Sequence, residues 1–313
     1  MSARKFLWGY LLHLSTNMWS DRQVSEWGPL KGADLQYVCA QPYLRFDETL
    51  WNDLVERMAG AGMNLIVIDL GDGVRYESHP KIAVKGAWSI AKLKRELAKL
   101  RALGLEPIPK MNFSTAHDAW LGMYVRRVST PEYYHVCGEL IAEVARLFDT
   151  PRFFHLGYDE ETADHQQRYG YTVVRQYELW WHDFEFLVKQ VEKQGVRAWI
   201  WSDYAWHHPK EFYTRMPKSV LQSYWYYGMD FSKTDPMTRT YLDLDKHGYQ
   251  QMPTASNWVT PENFAATVKF CRKHVGARLK GFLQTPWLPT VERYRKRHMQ
   301  AIDLVGEVIA KGR

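Results

Sequence analysis

The stretch Phe153-Phe154-His155-Leu156-Gly157-Tyr158-Asp159-Glu160-Glu161 decides how this chain reads. An apolar run of strand length follows the turn Asp149-Thr150-Pro151-Arg152, halts at a glycine and delivers three carboxylates ahead of a polar loop. In a parallel α/β architecture the carboxyl end of a strand opens into the ligand crevice, so acids there face chemistry rather than bulk water. Asp159 and Glu160 read as a reactive pair. Neighbours on an extended chain project differently and can flank one bound group once the loop turns both inward. The plainer alternative is an acidic cap and first turn for the next helix, and Glu161 reads as such a helix N-terminal charge.

Outward from this stretch, strands and helices alternate. Strands are expected at Phe6–Leu14, Asn64–Asp69, Leu105–Met111, Arg152–Gly157, Val196–Trp201, Val220–Trp225, Tyr249–Ala255 and Leu279–Gln284. Helices are expected at Glu48–Ala61, Ile90–Leu103, Glu132–Phe148, Gln176–Gln194, Thr238–Lys246, Pro261–His274 and Val291–Lys311, several of them closed by glycine. Eight such strand units in 313 residues match a (β/α)₈ barrel, and no Gly-x-Gly-x-x-Gly fingerprint of a doubly wound sheet follows the first strand. Without a low-complexity linker or a short repeat, residues 1–313 read as one domain.

Composition narrows the function classes. Hydrophobic residues make up 46% of the chain, enough for a large core. The net charge is +6, and the densest basic run, Arg293-Tyr294-Arg295-Lys296-Arg297-His298, lies in a helical pattern and reads as a solvated face, so no nucleic-acid partner is expected. Cys39, Cys137 and Cys271 are widely spaced, which argues against a disulfide framework or zinc ribbon and suits a reducing compartment. Met1–Lys5 followed by an apolar run imitates a signal peptide but lacks a small-residue cleavage site, and no run spans a bilayer; a cytoplasmic location and no membrane partner are expected. Adjacent His207 and His208 do not readily share one ion, so neither a metal nor a cofactor is expected.

The strand ends carry a ring of polar and aromatic residues: Asp69 and Asp72, Asn112 and His117, Asp159 and Glu160, Trp201 and Asp203, Gln222 and Trp225, Asn257 and Trp258, and Trp287. Carboxylates and amides interleaved with tryptophan form a sugar-site composition, so the expected partner is a carbohydrate. Glycoside hydrolysis commonly uses two carboxyl groups. The seventh strand end offers none, but a substrate's own 2-acetamido oxygen can act as nucleophile beside one acid and one orienting carboxylate, an arrangement that adjacent Asp159 and Glu160 suit.

His155-Leu156-Gly157-Tyr158-Asp159-Glu160 resembles the His-x-Gly-Gly-Asp-Glu motif of glycoside hydrolase family 20, the β-N-acetylhexosaminidases, with Tyr158 in place of the second glycine. Asn64-Leu65 with Asp72, Arg75, Glu77 and Ser78 looks like that family's second-strand segment, and Pro109 to His117 like its Pro-Glu-x-Asp-x-Pro-Gly-His segment with one insertion. The resemblance implies Glu160 as general acid/base, Asp159 as partner of the acetamido N–H, and Asp72 with His117 as a supporting pair raising the pKa of Glu160. It implies His155, Trp201, Asp203, Gln222, Trp225, Asn257 and Trp287 as substrate-binding residues. The departures are equally specific: no arginine follows the first strand, no Tyr and Asp follow the seventh, and Trp287-Leu288-Pro289 stands where the family has Trp-x-Glu. A barrel glycosidase of other sugar preference and a non-catalytic carbohydrate-binding barrel remain as alternatives; linkage and oligomeric state stay open.

Overall fold

Along the first strand, Leu7 and Leu11 point to one side and Trp8, Tyr10 and Leu12 to the other, and both sets are buried. A strand covered on both faces must lie inside a layered fold. The computed structural model, which describes residues 6–28 and 30–312, shows that layering as a barrel. Met1–Lys5 lie outside the described residues.

The strands are β1 (Leu7–His13), β2 (Leu65–Asp69), β3 (Glu106–Lys110), β4 (Phe153–His155), β5 (Arg197–Trp201), β6 (Leu221–Ser223), β7 (Thr254–Ala255) and β8 (Gly281–Gln284). All pairings are parallel, in the order β6-β5-β4-β3-β2-β1-β8-β7. Two single parallel bridges, Gln222 to Gln251 and Trp225 to Thr254, join β6 to the β7 segment and close the ring. The closing seam explains why the sixth and seventh strands are shorter than their apolar runs suggest: only isolated bridges form where the register is completed.

Leu7, Leu11, Leu65, Val67, Ile108, Phe153, Trp199, Leu221, Met252 and Leu283 fill the barrel's interior. Each such Leu or Val contributes about 1.5–3 kcal/mol by burial. Gly9 belongs to the same inward row, and a Cβ there would meet Met252 at 2.8 Å and Leu65 at 2.9 Å, so the crowded layer requires glycine.

The helices are α1 (Glu48–Gly60), α2 (Ile90–Ala102), α3 (Pro131–Leu147), α4 (Ala163–Gln166), α5 (Glu178–Lys193), α6 (Tyr204–His207), α7 (Pro209–Arg215), α8 (Pro236–Lys246), α9 (Asn263–His274) and α10 (Arg295–Lys311). Asp47, Ser89, Thr130 and Asp235 cap α1, α2, α3 and α8 through side-chain oxygens. The short pair α6 and α7 fills the one connection for which the sequence pattern gave no helix. Among the described residues no helix is long and apolar enough to cross a membrane. The three cysteines are free and buried. The basic run that leads into and begins α10 is not a uniformly solvated face: Arg293 pairs with Asp34, Arg295 with Asp53 and Glu292, and His298 is fully buried.

His298 carries a measurable consequence. Its Nε2 faces the Pro289 carbonyl at 3.0 Å, which can only accept, so Nε2 holds the proton and Nδ1 accepts from the Tyr10 hydroxyl at 3.2 Å. Burial, only partly offset by the Pro289 bond, depresses the ring's pKa to about 4. The unfolded chain therefore takes up this proton before the folded one as pH falls below about 6.5, and stability is lost down to about pH 4. This one group accounts for about 3 kcal/mol. In urea titrations at pH 7 and 4.5, His298→Gln should start lower than wild type and lose less on acidification; an equal loss would place the acid sensitivity elsewhere.

Candidate active site

The backbone after β4 leaves extended geometry at once, with positive φ at Gly157 (68°), Tyr158 (70°) and Glu160 (57°). The side chain of Asn112, just past β3, drives this turn. It lies so close over Gly157 that a Cβ would collide with it, its Oδ1 accepts from the Tyr158 N–H at 3.2 Å, and its Nδ2 donates to Asp159 Oδ1 at 2.9 Å. Ser114 Oγ donates to the Asp159 carbonyl, and the Glu160 N–H donates to Asp203 Oδ2 at 2.8 Å. A tyrosine at φ 70° is strained. Packing holds it there: the ring is buried against Trp180 at 5.0 Å and Phe184 at 5.6 Å, lies under the Arg175 guanidinium at 4.5 Å, and donates from its hydroxyl to the Trp180 carbonyl at 3.0 Å.

The turn carries Asp159 and Glu160 into one cavity of about 270 Å³, where His117 stands between them. His117 Nδ1 lies 3.6 Å from Asp159 Oδ1 and its Nε2 lies 3.5 Å from Glu160 Oε2. His165, at the edge of α4, approaches the same Glu160 oxygen at 3.2 Å. His117, Asp159 and Glu160 place one ligand atom each within 4.8 Å of one another, the set of described residues that could hold a metal ion. The same spacing is that of an ion-paired acid–base cluster.

Charge divides unevenly across the cluster. Burial pushes the Asp159 carboxyl up, and although His117 opposes this, Glu160 beside it adds to the rise. Burial also pushes Glu160 up, but hydrogen bonds from His117 and then His165 outweigh it and hold Glu160 below the ordinary carboxylate range. His117 is correspondingly raised: burial favours the neutral ring, and the charges of Asp159 and Glu160 overcome it. The expectation of a raised Glu160 is thus corrected, because two imidazoles face it. Within the cluster these shifts favour the proton on His117 over Glu160.

Tryptophans wall the cavity. Trp201 meets Trp225 at 5.8 Å and Trp287 at 5.6 Å, both edge-on, and Trp287 Nε1 donates to the Tyr227 hydroxyl at 2.7 Å. Trp19, Trp27 and Trp258 also line it, with Arg168 lying 3.6 Å over Trp27. Of the residues expected from sequence, Asp159, Glu160, His117, Trp201, Trp225 and Trp287 line this space. The others do not. Asp72 is bound by Ser15 (2.5 Å) and Asn17 (2.8 Å), which leaves His117 to the two acids. His155 is enclosed between Trp199 and Trp201 and accepts the Gly157 N–H; Gln222 accepts from Ser202; Asn257 donates to Gln300 and the Arg297 carbonyl. Asp203 lies behind Glu160, holding its amide. Glu161 is no helix charge: it binds Arg175 and the Thr115 amide, while Thr162 caps α4.

Trp258, named in the strand-end ring, also lines the cavity, whereas Trp19, Trp27, His165, Arg168 and Tyr227 were not singled out from sequence. Tyr227 sits two positions beyond Trp225, which was named, a slip in loop direction. The rest come from long loops whose course local patterning does not encode.

A scan against protein-family models gives no match, and no curated protein matches the chain. Solved structures do. The GH20 exo-β-N-acetylglucosaminidase from Vibrio harveyi, in complex with N-acetylglucosamine, superimposes with a TM-score of 0.64 at 13% identity, over 98% of this chain and 57% of that one. A mutant Streptomyces plicatus β-hexosaminidase in complex with N-acetylglucosamine gives 0.64 at 12% identity, over 97% and 64%. The β-N-acetylhexosaminidase from Bacteroides fragilis gives 0.62 at 12%, over 96% and 66%. At such identities the likeness is one of fold, and this chain spans about three fifths of each.

Proposed function

We propose that this barrel is a retaining glycoside hydrolase that cleaves β-linked 2-acetamido sugars. The observation that carries the reading is the pair Asp159–Glu160, turned into one tryptophan-walled cavity with His117 between them. The fold shared with hexosaminidases solved with N-acetylglucosamine supports it. A cavity of about 270 Å³ suits one sugar unit better than a length of polymer.

In this reading the acetamido oxygen bonds to the anomeric carbon as the bond to the leaving oxygen breaks, and that oxygen takes a proton from Glu160. Asp159 accepts from the acetamido N–H and offsets the positive charge that develops on the cyclic intermediate. Water then adds at the anomeric carbon as the bond from the acetamido oxygen breaks and the acetamido group re-forms, and gives its proton to Glu160. Entry of the sugar expels water and strengthens the burial that disfavours a Glu160 anion, drawing the His117 proton across their 3.5 Å contact. Asp203 is unsuited to the role of second catalytic carboxylate, since it is committed to the Glu160 amide and does not line this cavity. A panel of nitrophenyl glycosides tests the reading: release confined to N-acetylhexosaminides supports it, release from other sugars favours a barrel glycosidase of different preference, and binding without release a carbohydrate-binding barrel.

The cluster also sets a pH dependence. Since kcat/KM reports groups of the free enzyme, the acid limb should follow protonation of Asp159, above the ordinary aspartate range, and the alkaline limb loss of the His117 proton, above the usual 6.5. With His117→Gln the proton must sit on Glu160 itself, so the alkaline limb should move to lower pH. An unmoved limb would assign it to another group.

A further inference from the structure

One cation in the tryptophan-walled cavity has no counter-charge in contact with it. Arg168 lines that cavity, half-buried, with its guanidinium 3.6 Å over the Trp27 ring. Among the described residues its side chain makes neither an ion pair nor a hydrogen bond. Other half-buried or buried arginines commit their donors: Arg45 to Asn17 and the Gln36 carbonyl, Arg126 to Asp118 and the Thr115 carbonyl, Arg175 to Glu161 and Asp183. Burial works against the charge of Arg168, and Glu160 supports that charge without touching it. A partly desolvated cation is costly unless a ligand meets it, and stacking on Trp27 offsets only part of the cost.

The backbone around Arg168 is tied down. Its carbonyl accepts from Ser20 Oγ, the Tyr169 hydroxyl donates to the Met18 and Ala116 carbonyls, and the Gly170 N–H donates to Asp21 at 2.8 Å. Trp27, under the guanidinium, packs on Trp19 at 5.6 Å. A guanidinium stacked on a ring uses its face and leaves its in-plane N–H edges for an oxyanion. The other charges lining the cavity already have partners: Glu160 faces His117 and His165, and Asp159 faces His117 and Asn112. His117, Asp159 and Trp201 are buried, whereas Trp27, His165 and Arg168 are half-buried and Gly28 is exposed, so Arg168 stands on the solvent side of the cavity. The two acids repel an anion from the deep end and leave Arg168 as its place. A neutral hydroxyl there would leave the charge unmet.

We infer that Arg168 receives an anionic group of the bound saccharide, a carboxylate or a sulfate, so that the substrate is an acidic 2-acetamido saccharide. The inference rests on the sugar site of the proposed function but not on its hydrolysis, so binding tests it. The full chain would be titrated calorimetrically with N-acetylglucosamine and its mono-O-sulfates, and, in the Glu160→Gln background to stop turnover, with N-acetylglucosamine β-linked to glucose or to glucuronate. At least one anionic ligand should bind about tenfold more tightly than its neutral counterpart. In Arg168→Gln that ratio should fall to about one, and Arg168→Lys, which keeps the charge but not the fork, should retain part of it. Because the ratio compares two ligands on one protein, a general loosening of the cavity cancels; should Arg168→Gln not fold, the reduced ratio in Arg168→Lys decides. A preference among the sulfates places the anion on the seated sugar, and one confined to the glucuronate places it on the neighbouring unit. A ratio near one for every pair, or a preference that survives in Arg168→Gln, overturns the inference even if nitrophenyl N-acetylglucosaminide is hydrolysed. A preference lost with Arg168 in a protein that hydrolyses nothing leaves the inference standing and removes the hydrolase reading.

Discussion

Glu160→Gln should cut kcat/KM on substrates with poor leaving groups, such as sugar-linked disaccharides, by about 10²–10⁴-fold, the usual worth of a positioned general acid. On aryl glycosides with strongly acidic leaving groups the loss should be much smaller, because such an oxygen departs without a proton. Glutamine keeps the shape of the side chain and its contact with His165, so the fold should be preserved, which circular dichroism checks. It cannot relay the His117 proton across the 3.5 Å contact. Measured kcat/KM for the two substrate types decides the point: equal losses on both would remove Glu160 from the acid role.

Asp159→Ala should lower kcat by about 10²–10³-fold with little change in KM, as for a group that meets charge developing only in the transition state. A cyclic thiazoline, which mimics the intermediate formed by acetamido attack, should inhibit wild type strongly and this variant weakly. In the competing picture Asp159 attacks the sugar itself, and a 2-fluoro glycoside should then leave a covalent adduct on its side chain. Mass spectrometry separates the two. An adduct on Asp159 would sink substrate assistance, whereas potent thiazoline inhibition without an adduct supports it.

The barrel was legible because it is written in short-range pattern. Each of the eight strands lies inside the apolar run assigned to it, and seven helix patterns mark connections between them. The failures follow a physical line. The α6–α7 pair is short, starts at a strand end and is broken by Pro209, so no helical period accumulates. At the site, residues at or beside the strand ends that turn into the cavity were found, among them Asp159, Glu160, Trp201 and Trp225. His155 and Gln222 lie within the strands themselves, where one residue decides between interior and helix layer. The pairing of Asp72 with His117 failed for another reason: partners such as Ser15 and Asn17 on a distant loop compete for a carboxylate, and only the folded chain shows which wins. The depressed pKa of Glu160 was equally out of reach, since His165 meets it only after the loop has turned.

Arg175 joins parts of the molecule that are far apart in sequence. Its guanidinium reaches Glu161 in the acid-bearing loop, Asp183 in α5 at 3.1 Å and the Phe113 carbonyl after β3 at 2.7 Å, and it lies over Tyr158. The turn that presents Asp159 and Glu160 is therefore bolted to the helix layer and cannot open by itself, because every local excursion would strip a fully buried cation of its counter-charges. The acid pair behaves as part of the frame rather than as a loop, and heat should abolish it only when the barrel itself melts.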